Sequence, residues 1–253
     1  MSAAVADSVP ILMYHQVSDA PRAPFLKYTV TGRAFAAQMK WLAANGYSTI
    51  DLPTLLAHRR GGAPTPKRSV VITFDDGFRE CASVAAPAME AHGFSATFFL
   101  VAGLMGDSSR WLVAERGIEF PIMSWDDARQ LERAGHRCES HSMTHPRLAE
   151  LSPGVCREEL ARSRAMLEDE LGHPVRYLAY PFGSENQQVR DIAADCGYDA
   201  ACTVAIGIST AGDDVYALPR VPVLGTDSLL DFASRIRTAY TVRDRLRRMI
   251  GVS

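Results

Sequence analysis

Ser69 to Phe74 reads SVVITF and runs directly into Asp75-Asp76-Gly77. A near-continuous apolar, β-branched run has no solvent face, so it suits a parallel strand covered on both sides. Similar short runs recur at residues 9–14 (VPILMY), 96–101 (ATFFLV), 137–139, 177–180, 198–204 and 221–224. Helical periods fall between them. Phe35, Met39 and Leu42 repeat at helical spacing before Gly46, residues 78–92 end at Gly93, and residues 126–134 end at Gly135. Residues 152–171 open with an N-cap Ser and a Pro and close at Gly172, and residues 187–196 and 228–250 complete the set. Strand-then-helix alternation of this kind predicts an α/β fold, a barrel or an incomplete one. The 253 residues suit a single domain, 1–253, with its core at about 9–224 and a C-terminal helix at about 228–250.

Residues 61–66 (GGAPTP) read as a connecting loop. Residues 103–121 form a long irregular stretch, of a length that is often functional, and its Trp111 is a candidate for shaping a substrate groove. A net charge of −2 gives no reason to expect nucleic acid as a partner. Five cysteines at irregular spacing, without a CxxC, point to reduced thiols rather than a disulfide framework. The first ten residues, MSAAVADSVP, show neither a basic n-region nor an apolar h-region, so the expected location is cytoplasmic. No apolar run is long enough for an integral membrane segment. Residues 243–250 (RDRLRRMI) allow peripheral membrane contact, although a solvated terminal helix is the plainer reading.

Two adjacent carboxylates at the C-terminal end of a parallel strand repel each other, and no local partner is visible for Asp75 or Asp76. A metal cation is the simplest compensation. His141 and His145, in ESHSMTHP (139–146), are four residues apart and also follow a predicted strand. Pro146 disfavours helical geometry at His145, so the pair belongs to a strand-end loop. Two imidazoles plus one carboxylate with open positions make a hydrolytic metal site, with Zn2+ expected and Co2+, Ni2+, Mn2+ or Fe2+ as alternatives. One Asp is then left over as a base. In Tyr180-Pro181-Phe182-Gly183 a backbone N–H after the Pro turn could face an oxyanion. His15 ends the first strand and is a candidate general acid, and Arg220, placed just before the last strand, is a candidate partner for the base.

Together TFDDG (73–77), HSMTHP (141–146) and YPFG (180–183) resemble the polysaccharide deacetylase family, the NodB-homology or carbohydrate esterase family 4 enzymes. The resemblance implies a distorted, incomplete (β/α) barrel and removal of N-acetyl groups from an amino sugar. By that resemblance Asp75 is the base, Asp76, His141 and His145 are the metal ligands, and the Phe182 amide is the oxyanion donor. The usual Arg-x-Pro-Tyr pattern has Ala179 where its Arg would stand, and no Leu-x-His follows near the C-terminus. The poly-N-acetylglucosamine deacetylase-like subgroup, a circularly permuted barrel, carries a Tyr-His near its N-terminus, which Tyr14-His15 resembles. That subgroup also implies Arg220 in place of the missing Arg. The expected function is metal-dependent removal of N-acetyl or other N-acyl groups from a sugar in a polysaccharide or glycan precursor. Deformylation or deacetylation of a lipid-linked or nucleotide sugar, and a non-catalytic glycan-binding barrel, are the alternatives.

Overall fold

The computed structural model describes residues 8–249. Ten strands lie among the described residues: β1 (Ile11–Tyr14), β2 (Gln16–Val17), β3 (Thr29–Val30), β4 (Ser48–Thr49), β5 (Ser69–Phe74), β6 (Thr97–Leu100), β7 (Arg137–Ser140), β8 (Tyr177–Ala179), β9 (Ala200–Ile206) and β10 (Leu218–Pro222). Seven of them close on themselves in the order β1-β10-β9-β8-β7-β6-β5, with β5 pairing back to β1. Every pairing in this ring is parallel, so all seven C-terminal ends open on one rim. The first strand sits between the last strand and β5, which brings Tyr14-His15 to the same rim as Asp75-Asp76. β4 pairs with the start of β5, at Ser69 and Val70, and β2 and β3 form a separate short ribbon.

The nine helices of the described residues are α1 (Gly32–Ala44), α2 (Leu52–Arg59), α3 (Ala86–Glu90), α4 (Arg110–Arg116), α5 (Trp125–Arg133), α6 (Pro153–Leu171), α7 (Gln187–Asp195), α8 (Leu229–Thr238) and α9 (Val242–Met249). Every residue of β5 is buried, as its composition demands, and the strand divides its side chains by alternation. Val70, Ile72 and Phe74 join the larger core beneath the helices. Val71 joins a smaller cluster with Ile11, Phe99, Ala179, Cys202 and Leu218. Leu52, Leu55 and Leu56 of α2 complete that cluster, so α2 plugs the barrel. The sequence patterning did not single out α2, although Asp51 caps its first turn by accepting from the Thr54 N–H at 3.0 Å.

Other expectations need correction. The expected helix at 78–92 is a π-helical turn (Cys81–Ala85) that passes into α3, where Pro87 stands in the first turn. The long stretch 103–121 contains α4. Arg220 lies within the last strand rather than before it, and is completely buried. The C-terminal helix at about 228–250 is two helices, and residue 250 lies outside the described residues. Ala239 adopts a left-handed φ of 65°, and the Thr238 hydroxyl bonds to the Ser234 and Tyr240 carbonyls. Thr241 then caps α9 by accepting from the Asp244 N–H at 3.0 Å. All five cysteines are free, as expected.

The loop after β10 holds the rim segment 23–28 in place. The Gly225 N–H bonds to the Lys27 carbonyl at 2.9 Å. A Cβ on Gly225 would meet the backbone oxygens of Thr29 and Leu26. Gly225→Ala should therefore force a backbone shift costing about 1–3 kcal/mol. Urea denaturation checks this, and an unchanged midpoint would refute the close approach.

Candidate metal and catalytic site

Asp75 and Asp76 leave β5 together but meet different environments. The Asp75 N–H is fixed by the Tyr14 carbonyl at 2.9 Å, which joins it to β1. Its carboxylate continues the inward face of β5 beyond Val71 and Thr73. Arg220, on β10, donates from Nη1 to one oxygen and from Nη2 to the other, each at 2.7 Å. The guanidinium is held further by the Thr203 carbonyl at 2.8 Å and the Thr73 hydroxyl at 3.1 Å. Burial alone would raise the Asp75 pKa, but the Arg220 charge and then His141 outweigh it and hold the carboxyl below its ordinary value. Arg220 thus supplies the partner that the local sequence lacked.

Asp76 turns away through a left-handed φ of 76°, unusual for a residue with a Cβ. Its Oδ1 lies 3.3 Å from His141 Nε2 and 3.1 Å from His145 Nε2. Burial pushes its pKa up, while hydrogen bonds from His141 and His145 pull it further down, to well below the carboxylate range. His141 follows β7 directly, and its Nδ1 faces the Ala179 carbonyl of β8 at 2.7 Å, which fixes the ring and turns Nε2 toward Asp76. His145 closes the following loop at φ 65°, and Ser142 adopts φ 66°. Glu159 of α6 holds that loop by accepting from the Met143 and Thr144 N–H groups at 3.1 and 2.9 Å and from the Thr144 hydroxyl at 2.7 Å. The Ser142 hydroxyl accepts from the His145 N–H at 3.0 Å.

Three ligand atoms from Asp76, His141 and His145 lie within 4.8 Å of one another, all on buried residues. The donor set suits a borderline divalent cation: two imidazole nitrogens and one carboxylate oxygen. Burial depresses the His145 pKa against the pull of Asp76, which favours the neutral ring that ligation needs. The residues present therefore fit a metal ion.

These groups open into a cleft of about 820 Å³ that also receives His15, Phe182 and Trp111. Burial lowers the His15 pKa, while Asp76 and Asp75 oppose that shift. Phe182 occupies a left-handed φ of 57°, and its ring meets His145 edge-on at 4.5 Å. Trp111, on α4, stacks on the same imidazole: its ring lies 4.3 Å from that of His145 at an interplanar angle of 22°. Arg147 covers Phe182 at 4.1 Å and pairs with Glu115 of α4 at 2.9 Å. Every site residue expected from sequence except Arg220 lines this cleft, and Arg220 stands behind Asp75. Sequence reading missed Glu159, Arg147 and Tyr28. Glu159 sits on the charged helix α6, where nothing distinguishes it from its neighbours, and Tyr28 lies in a rim segment without periodicity.

A family described as polysaccharide deacetylase matches residues 62–201, more than half of the chain. The putative polysaccharide deacetylase YxkH of Bacillus subtilis is 27% identical over 215 residues, covering 85% of this chain and 71% of that protein. The poly-beta-1,6-N-acetyl-D-glucosamine N-deacetylase of Escherichia coli K12 is 24% identical and covers 83% of this chain, which spans only 36% of that relative. Among solved structures, the deacetylase PplD of Streptococcus pyogenes superposes with a TM-score of 0.79 at 23% identity, covering 90% of this chain and 98% of that one. The putative polysaccharide deacetylase BA0330 of Bacillus anthracis gives 0.76 at 26% identity, covering 90% and 69%. The barrel, the rim-borne Asp-His-His cluster and these likenesses agree, and the chain belongs to the polysaccharide deacetylase family.

Proposed function

We propose that this chain is a metal-dependent amidohydrolase that removes N-acetyl groups from an amino sugar in a polysaccharide or glycan precursor, within a single catalytic domain. The observation that carries the reading is the division of two adjacent carboxylates. One is held by an arginine inside the barrel and the other faces two imidazoles in the cleft. A barrel that only binds glycan has no use for such a costly pair of buried charges.

Asp76, His141 and His145 would hold the ion, with Zn2+ as the expected metal. A divalent cation there supplies Lewis acidity to the amide carbonyl and lowers the pKa of a water beside it. Asp75 accepts a proton from the attacking water. Its two oxygens are each engaged by one Arg220 N–H, which leaves lone pairs to take that proton while the carboxylate stays oriented. The Phe182 N–H, at the turn that ends β8, donates to the oxygen that gains negative charge. His15 gives a proton to the departing nitrogen, so the products are a carboxylate and a free amino sugar. At the end of a turnover His15 regains a proton from solvent through the open cleft, and Asp75 releases the one it took from water. Trp111 and Phe182 pack the His145 ring between them and restrict its rotation.

Asp75→Asn should lower turnover of an N-acetylglucosamine oligomer by about 10²–10⁴-fold, the usual contribution of a general base, while metal content is retained. Substantial residual acetate release would remove Asp75 from this role. In His141→Ala, elemental analysis after zinc loading should show a clear loss of bound metal, and full occupancy would contradict the ligand assignment. Arg220→Met leaves Asp75 buried without a partner and should destabilise the fold by about 3–5 kcal/mol. A chemical denaturation midpoint equal to that of the native chain would show that the pair is not needed.

A further inference from the structure

The mouth of the cleft carries more positive charge than the chemistry of the site uses. Arg147 and Arg235 are neutralised by Glu115 and Asp227, and Arg220 by Asp75. Lys27 and Arg116 also line the cleft, yet neither has an ion-pair partner among the described residues. Both are exposed, and both gather around one aromatic ring. Lys27 Nζ lies 5.4 Å from the Tyr28 centroid and Arg116 Cζ lies 5.1 Å from it. The same ring lies 5.1 Å from that of His15, so this pair of cations borders the reacting centre.

The arrangement is built, not incidental to a flexible surface. Arg116 ends α4, and its Nη1 donates to the Pro24 carbonyl at 3.2 Å, which holds the guanidinium over Tyr28 and Phe25. Its remaining N–H groups are available to a ligand. Lys27 belongs to the rim segment that Gly225 anchors through its backbone. Two cations beside one ring repel each other, and an exposed cation–π contact is worth only about 0.5–1 kcal/mol. An oxyanion beside the Tyr28 ring would offset that repulsion, and the long side chains of both residues let them turn toward it with charge-assisted hydrogen bonds. Of the acids that share the cleft, Asp75 pairs with Arg220, Asp76 faces two imidazoles and Glu115 pairs with Arg147, while Asp244, on α9, accepts from Thr241, and the same helix brings Arg248 to the cleft.

Resting on the deacetylase reading, we infer that Lys27 and Arg116 form an anion subsite that selects an N-acyl glycan carrying a phosphate or carboxylate next to the residue that loses its acyl group. The charge balance also disfavours a purely neutral polymer as the best substrate. Each turnover on such a polymer creates an ammonium, which these cations repel, whereas an oxyanion neighbour keeps the chain attracted to the rim.

The test uses the zinc-loaded full chain and a matched pair of probes, a β-1,6-linked N-acetylglucosamine tetramer with and without a terminal phosphate. Acetate release should give a KM for the phosphorylated tetramer lower by about tenfold, the scale of one charge-assisted hydrogen bond. The preference should shrink toward unity in Lys27→Gln/Arg116→Gln, and also in the native chain at about 1 M salt, where the Debye length is about 3 Å. Arg116→Lys, which keeps the charge, should retain part of it. A tetramer carrying a terminal carboxylate in place of the phosphate distinguishes the two anions. Equal KM values for all probes in the native chain, or a preference that survives in the double variant, would overturn the subsite. If no probe releases acetate, the deacetylase reading fails, and the subsite is then decided by calorimetric titration of the phosphorylated tetramer. Binding lost in the double variant supports it, and binding unchanged or absent in the native chain overturns it.

Discussion

The salt bridge between Arg220 and Asp75 is the interaction on which the site depends. It closes the barrel interior across β10 and β5, and neither side chain is more than 3% exposed. Taking two charges out of water is costly, and only a bidentate geometry with the remaining donors satisfied makes it tolerable. Arg220 meets that condition through Thr203 and Thr73, and the Thr73 hydroxyl in turn donates to the Leu12 carbonyl of β1 at 2.7 Å. The pair also separates the roles of two neighbouring aspartates. With Asp75 committed to a guanidinium, Asp76 alone is left to face the imidazoles.

That separation requires backbone strain. Asp76, Ser142, His145 and Phe182 all take a left-handed φ, and all four belong to the rim around the cleft. For residues with a Cβ, such conformations persist only where the surroundings over-determine them. Here the surroundings are specific: Glu159 grips the 143–144 backbone, Ser142 grips His145, and Trp111 and Phe182 pack against the His145 ring. The strain is balanced by contacts from α6 and α4, helices on either side of the 141–145 loop in sequence.

Legibility of the sequence followed this same division. The barrel strands could be read because burial on both faces leaves an apolar run, as in β5. Asp75, Asp76, His141 and His145 could be read as candidates because the strand ends that carry them place unusual residue types side by side. The sequence offers Arg220 as a candidate partner for the base, but not its place inside β10, where Pro219 and Pro222 interrupt the apolar run, and the pair itself spans 145 positions. The plug α2 escaped because its three leucines make a short pattern with no long period. The break at Ala239 escaped because alanine favours helix, and the turn rests on the Ser234 and Thr238 hydroxyls, which both bond the Tyr240 carbonyl.

The rim explains why chemistry was easier to infer than substrate. Asp75, Asp76, His141 and Phe182 project from strand ends, so the barrel fixes them whatever the intervening segments do. Lys27, Tyr28, Trp111, Arg116 and Arg147 come instead from a 3-10 turn, a short helix and a loop laid over the barrel mouth. Their relations are tertiary: Arg116 reaches across to Pro24, and Arg147 reaches Glu115. A segment of this kind can change charge without disturbing the strand ends beneath it. Under the proposed reading, reaction type follows from the strands and substrate choice from the segments that join them.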